Sequence, residues 1–165
     1  MPTPPDSVVG SLPPAVAAAI QDHCLACYPS EACGILVGQP GAPSRFLPMD
    51  NQADRLHAMD PEEFPRTSRD FFALNMAKVM KAVREAEAAG EAWLAIVHSH
   101  IDCGAYFSSE DVRNAAPEGE PAFPDLDQIV VDVRAWGVVE ARSFRWNGQG
   151  FVPCRTWTAE IAKER

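Results

Sequence analysis

The sequence predicts an α/β (α+β) layer sandwich, a mixed central sheet flanked by a long helix and shorter helices. Three observations predict it. Apolar residues recur at helical spacing through Val16, Ile20, Cys24 and Cys27. A second and stronger helical pattern runs through Phe71, Leu74, Val79 and Val83. Short apolar runs, CGILVG over Cys33 to Gly38 and WLAIV over Trp93 to Val97, have the length and composition of buried strands. Helices interleaved with such strands in a chain of 165 residues imply one sheet with helices packed on it, in one domain.

Taken in order, residues 1–12 are rich in Pro, Gly and Ser and are expected to be a loose lead-in. Pro13 and Pro14 suit the opening of a helix that covers Ala15 to Cys27. It ends at Tyr28-Pro29-Ser30, because Pro29 disfavours the helical region for the residue before it. CGILVG follows as a strand, Gln39 to Pro43 as a turn and Arg45 to Met49 as a second strand. Residues 50–66 are polar and proline-bearing and read as a connector with one short strand near Leu56 to Met59. Thr67 or Ser68 is expected to cap the long helix, and Gly90 to stop it. WLAIV leads directly into His98-Ser99-His100, then a loop with Gly104 and a short helix opening at Ser108-Ser109-Glu110-Asp111. Strands at Ile129 to Val133 and Val138 to Phe144 follow, with Phe151-Val152 extending the meander after Asn147-Gly148. The domain is expected to span 13–153. Residues 154–165 form a tail, its last nine residues a frayed helix or disordered.

Bulk properties exclude several classes of function. Hydrophobic residues make up 47% of the chain, the ordinary share for a globular protein. A net charge of -9 and a pI of about 4.8 repel phosphate backbones, so nucleic acid is not an expected partner. No apolar run approaches the ~20 residues of a membrane span, and MPTPPDSVVGSLPPAV has no basic region ahead of an apolar stretch. The expectation is a cytoplasmic protein without a membrane partner. Five scattered cysteines (Cys24, Cys27, Cys33, Cys103, Cys154) are not a disulfide framework and are expected to be free thiols.

The chemistry concentrates around His98 and His100. Two residues apart on a strand, they share one face at a backbone separation of ~6.6 Å, while Ser99 faces the other way. Two imidazoles so placed can converge on one ion at Zn–N distances of ~2.0–2.1 Å. Asp111, in the first turn of the short helix, is in position to swing back as a third ligand. Two histidines and a carboxylate leave a fourth position for water, as catalytic zinc requires. Ser108-x-x-Asp111 is equally a capping-box pattern, in which Asp111 merely caps the helix. Glu31, at a helix–strand junction, reads either as solvated surface or as the acid–base group such a site needs.

Glu31, His98-Ser99-His100, Ser108 and Asp111 together resemble the JAMM (MPN+) zinc metallopeptidase motif: a distant Glu, then His-Ser/Thr-His followed by Ser-x-x-Asp, with eleven positions from His100 to Asp111. Tyr28-Pro29-Ser30-Glu31-Ala32-Cys33-Gly34-Ile35-Leu36-Val37-Gly38 is similar to the family's segment around its catalytic Glu. The resemblance extends from about residue 13 to 153 and is nearest to small free-standing bacterial members. It implies a cytidine-deaminase-like MPN/JAMM sandwich and one Zn2+ per chain, held by His98, His100 and Asp111. It makes Glu31 the base that takes a proton from water and passes it to the leaving amine, and Ser108 the hydroxyl that steadies the tetrahedral oxyanion. Ile101 and Phe107 stand where many relatives have proline, so the loop between them is expected to differ in shape.

The resemblance also implies a substrate: a peptide or isopeptide bond at the C-terminal tail of a ubiquitin-like protein. Small bacterial relatives act on sulfur-carrier proteins with a Gly-Gly tail, one of them releasing cysteine from the carrier. An extended tail is expected to pair with a sheet edge near the metal. The oligomeric state is open, a homodimer among the options. The alternative is a non-catalytic MPN-type zinc-binding interaction module. A further rival, redox chemistry at Cys24-Leu25-Ala26-Cys27, is disfavoured because the pair ends a helix, the wrong pole for lowering a thiol pKa. Cys103 falls in the loop of the metal site. His23 and His57 are expected at the surface without a role, and Asn51 and Asp60-Pro61 near the substrate path.

Overall fold

The computed structural model describes residues 5–165. The chain runs α1 (Pro14–Cys27), β1 (Cys33–Gln39), β2 (Ala42–Met49), α2 (Ala53–Met59), α3 (Met76–Ala88), β3 (Ala92–Ile101), α4 (Ser109–Ala115), β4 (Asp127–Arg134), β5 (Gly137–Trp146), β6 (Phe151–Trp157) and β7 (Lys163–Glu164). The strands form one sheet in the order β2-β1-β3-β4-β5-β6, with β7 pairing β5. Only β3 and β4 run parallel, joined by the crossover that carries α4; the other pairs are antiparallel. The sheet is therefore mixed, as the pattern of elements predicts.

Each face of the sheet is covered by a helix whose apolar stripe matches it. From α1, Val16, Ile20 and Cys24 pack with Val97, Ile129 and Val131 on one face. Val79, Val83 and Ala86 of α3 pack on Ile35 and Val37 on the other. Pro14 sits at the start of α1, where a missing N–H costs nothing. Gly34 permits a close strand approach: a Cβ there would lie 2.6 Å from the Leu47 carbonyl oxygen and from the Phe46 ring. α3 ends where Gly90 takes φ +81.

Four expectations are corrected. Leu56 to Met59 belong to a helix, α2, not to a strand; the Asn51 side chain accepts from the Ala53 N–H at 3.0 Å and starts the turn. The long helix begins at Met76, capped by Asn75, whose Oδ1 accepts from the Lys78 N–H at 3.2 Å. Thr67 and Ser68 do not cap it, because residues 68–73 bond elsewhere: the Ser68 carbonyl accepts from the Glu31 N–H, and the Ala73 N–H donates to Asn51. The lead-in, of which residues 1–4 lie outside the described residues, is not loose over the rest: Val9 is fully buried, and Ser7 donates to Asp127 at 2.6 Å. Nor is the tail frayed. Trp157 and Ile161 are fully buried, the Trp157 indole donates to the Gly10 carbonyl at 2.9 Å, and Lys163–Glu164 pair with β5. In both ends, one or two large apolar anchors outweigh a polar composition.

No described helix is long and apolar enough to cross a membrane. The five cysteines are free. Cys24 is packed into the α1 face, where burial, with smaller contributions from Cys27 and Cys33, pushes its thiol up to about 12 against a bond to Ser99; Cys27 is also raised, mainly by burial. Both shifts oppose the thiolate that redox chemistry needs.

Candidate active site

β3 brings the two histidines together by alternation. Val97 faces the α1 core, whereas Ile96 faces Cys33, Phe72 and Leu126. His98 and His100 continue the Ile96 face, with ring centroids 5.1 Å apart. Ser99 turns toward α1, and its Oγ accepts from the Ala32 N–H at 2.8 Å. After Ile101 the chain reverses through Asp102, which adopts a left-handed φ of +58. Two contacts hold that reversal: the Tyr28 hydroxyl donates to Asp102 Oδ2 at 2.8 Å, and Arg134 donates to the Asp102 carbonyl at 3.3 Å. Gly104 then presents its carbonyl 3.0 Å from His100 Nδ1. An N–H donated there leaves Nε2 as the lone-pair nitrogen facing the site.

Asp111 completes the group. Its Oδ1 lies 3.1 Å from His98 Nε2 and its Oδ2 3.0 Å from His100 Nε2. The ligand atoms of the three residues all lie within 4.8 Å of one another. Atoms sharing one tetrahedral zinc at ~2.0 Å each stand about 3.3 Å apart, so the two carboxylate–imidazole spacings are those of atoms around a common cation. His98 supplies a second indication. It is fully buried, its contact with Asp111 is off the direction of a hydrogen bond, and both ring nitrogens lack partners among the described residues. A buried imidazole with no acceptor or donor to meet is costly unless something coordinates it. Phe72 stacks on its ring at 4.2 Å, which fixes the ring plane.

The capping reading of Asp111 is realised, and the same carboxylate also meets both imidazoles. Its Oδ2 accepts from the Ser108 N–H at 2.9 Å, and its own N–H donates to Ser108 Oγ at 3.0 Å, a full capping box. A carboxylate has lone pairs enough for the cap and for the imidazoles. Burial acts to raise the Asp111 carboxyl, but His98, His100 and the Ser108 N–H outweigh it and hold the group well below the usual carboxylate range. Burial lowers His98, keeping the imidazole neutral and its lone pair available.

Glu31 enters from the α1–β1 junction. Its side chain lines a cavity of about 330 Å³ together with Arg66, Arg69, His100 and Ser108. Its backbone is fixed on two sides: the N–H donates to the Ser68 carbonyl at 2.6 Å, and the carbonyl accepts from Asn51 Nδ2 at 3.0 Å. Burial first, then the charges of Asp111 and Asp70, raise the Glu31 carboxyl to about 9, with Arg66 opposing. A second cavity, of about 370 Å³, adjoins Asp111 on its other side and is mainly apolar, with Phe72, Leu74, Ile96, Phe107 and Phe123 on its walls.

All five residues singled out in the sequence are therefore gathered in one place. In the loop of the site, Tyr106 lies edge-on to His100 at 4.9 Å, whereas Phe107 packs on Phe144 and Phe151. Cys103 is exposed in the same loop, 3.9 Å from the Tyr106 hydroxyl. His23 and His57 are half-buried rather than at the surface: His23 Nε2 lies 3.0 Å from the Cys33 carbonyl and His57 Nδ1 2.7 Å from that of Phe64. The strand that carries the histidines offers no free edge to a tail. β3 is interior, paired on both sides, and the outer strands are β2 and β6. Phe72, Ser68, Arg66 and Arg69 were not legible as site residues, since they come from an irregular segment that spacing assigns to the end of a connector and the start of the long helix.

Comparison with known proteins agrees with this geometry. Residues 13–147 match the model of the prokaryotic homologs of the JAB domain. CysO-cysteine peptidases of Mycobacterium bovis and Mycobacterium tuberculosis are 35% identical over 132 residues, which is 79% of this chain and 74% of theirs. Solution structures of two bacterial proteins share the fold. One, from Desulfitobacterium hafniense, has a TM-score of 0.61 at 22% identity, covering 84% of this chain and 85% of its own. The other, from Salinibacter ruber, has a TM-score of 0.56 at 21% identity, covering 87% of each. By sequence, fold and the extent of the match, this chain belongs to the prokaryotic JAB-domain family.

Proposed function

We propose that the chain is a zinc-dependent peptidase that hydrolyses the bond between the C-terminal glycine of a ubiquitin-like sulfur-carrier protein and a cysteine attached to it. The observation that carries this reading is the convergence of His98, His100 and Asp111 within 4.8 Å, beside the cavity lined by Glu31 and Ser108. The 35% identity to proteins named CysO-cysteine peptidase supports the choice of substrate.

In this reading His98 Nε2, His100 Nε2 and the Asp111 carboxylate hold the ion. When bound, zinc polarises the scissile carbonyl and lowers the pKa of water toward ~7. Glu31 takes a proton from the attacking water and returns it to the leaving nitrogen. In the metal-free protein its burial favours the protonated carboxyl, which suits the second half of that shuttle, and the charge of a bound cation would favour the carboxylate that the first half needs. The Ser108 Oγ accepts the Asp111 N–H and still has its own proton to donate, so it can meet the developing oxyanion without giving up the helix cap. Gly104 orients His100 through Nδ1, and Phe72 holds the plane of His98.

The test uses a sulfur-carrier protein extended by one cysteine after Gly-Gly, incubated with the zinc-loaded protein and followed by mass spectrometry. The expected result is loss of one cysteine residue, abolished in Glu31→Gln. Zinc bound at one equivalent with no cleavage of this substrate would overturn the peptidase reading and point to an interaction module.

A further inference from the structure

The cavity that holds Glu31, His100 and Ser108 also carries two guanidinium groups, Arg66 and Arg69. At about 330 Å³ it is at the small end of ligand pockets, a size for one residue rather than a length of folded chain. The two arginines are not equivalent. Arg66 Nη1 lies 3.0 Å from Asp70 Oδ2, and its Nε 3.7 Å from Glu110 Oε2. Glu110 is also paired with Arg113. The carboxylates of Asp70 and Glu110 are thus matched by Arg66 and Arg113. Arg69, exposed and three residues beyond Arg66, has no ion pair within 4.0 Å among the described residues. It is the uncompensated cation of the cavity. A guanidinium presents its N–H groups as a fork that matches a carboxylate.

Glu31 tells which side of the scissile bond this cavity serves. The group that hands a proton to the leaving nitrogen stands on the leaving side, and Glu31 lines this cavity rather than the apolar one beyond Asp111. Resting on the hydrolytic reading above, we propose that Arg69, with Arg66 beside it, receives the terminal α-carboxylate of a one-residue leaving group. The enzyme then trims a single residue from a free C-terminus and discriminates against amidated, extended and isopeptide-linked tails. In the reaction the water oxygen bonds to the glycyl carbonyl carbon and the C–N bond breaks. One water proton goes by way of Glu31 to the leaving nitrogen. The carrier departs as a carboxylic acid and the residue as a free amino acid, its carboxylate held by Arg69 throughout.

Two measurements test this. In turnover, carriers ending in Gly-Gly-Cys with a free carboxylate or a C-terminal amide are compared. Wild type is expected to favour the acid by about tenfold or more in kcat/KM, and Arg69→Gln to bring that ratio below about threefold. In binding, short peptides ending in Gly-Gly-Ser, as acid or amide, are titrated into the zinc-loaded Glu31→Gln protein with and without Arg69→Gln. Serine replaces cysteine to keep a thiol away from the metal. The same preference for the acid, and the same loss of it, are expected. Equal binding of acid and amide, an undiminished preference in Arg69→Gln, or no binding of the acid at millimolar concentration would each overturn the subsite. If no carrier adduct is cut but the acid preference depends on Arg69, the carrier substrate falls and the carboxylate subsite stands. Arg69 is exposed on a turn, so its replacement leaves the fold intact.

Discussion

Asn51→Ala is the substitution whose cost follows most directly from the structure. All four hydrogen-bonding positions of the Asn51 amide are used. Nδ2 donates to the carbonyls of Glu31 at 3.0 Å and Phe71 at 2.9 Å, and Oδ1 accepts from the N–H groups of Ala53 and Ala73, both at 3.0 Å. The side chain thereby ties the Glu31 strand entry, the start of α2 and the segment ahead of α3 into one joint. A net hydrogen bond is worth ~0.5–1.5 kcal/mol, so four would give ~2–6 kcal/mol. Asn51 is half-buried and water replaces part of the loss, which places the expectation near ~3 kcal/mol. For a chain of this length that is a Tm lower by roughly 6–12 °C. Asn51→Asp keeps the two accepted bonds but sets a carboxylate oxygen against two carbonyls. It should therefore destabilise at least as much at neutral pH and recover in part at acid pH. Urea unfolding with the midpoint and slope compared to wild type measures both. In turnover, kcat should fall more than KM changes, because the joint positions Glu31 and not the substrate. If both variants unfold within ~0.5 kcal/mol of wild type, the joint is not the anchor described here.

Three further outcomes follow from the site. Glu31 has a folded-state value of about 9, raised from 4.5, so the metal-free protein binds a proton that the unfolded chain has released. The contribution of Glu31 to stability should be full below about 4.5 and be lost as pH rises toward about 9, by at most about 1.4 kcal/mol per pH unit, and Glu31→Gln should flatten that slope in chemical denaturation; a slope unchanged in the variant contradicts it. Ser108→Ala removes a cap and an oxyanion donor together. Stability should drop by ~1 kcal/mol and kcat by about a hundredfold or more, with metal content kept; an unaltered kcat removes Ser108 from the chemistry. His98→Ala should abolish stoichiometric zinc binding by equilibrium dialysis, whereas a full equivalent retained would show that the donor set is misassigned.

The site was more legible than the frame around it, and the reason is distance along the chain. His98 and His100 are paired by strand alternation and Asp111 follows eleven residues on, so local spacing offers all three as candidates, and only the joint pattern chooses between cap and ligand for Asp111. Glu31 is different: nothing in its own neighbourhood separates it from a surface carboxylate, and only the joint pattern with the distant residues marks it. Residues 67–75 were misread as the start of the long helix because their backbone answers to Asn51 and Glu31, more than twenty residues away in places, rather than to its own propensity. Arg69 and Phe72 lie in that segment and were invisible for the same cause. The two chain ends were judged by their polar composition, which hid Val9, Trp157 and Ile161, three side chains with no exposure at all.

The three side chains proposed to hold the cation are mounted on unequal supports. Two ride on β3, the middle strand, bonded to β1 on one side and β4 on the other, so they part company only when the whole molecule opens. The third rides on α4, a helix of seven residues with Val112 and Arg113 facing water. The grip is that of one fixed jaw and one hinged jaw. A cation held there is expected to exchange by a local swing of the short helix, with the imidazole pair kept in line and ready to be refilled without refolding.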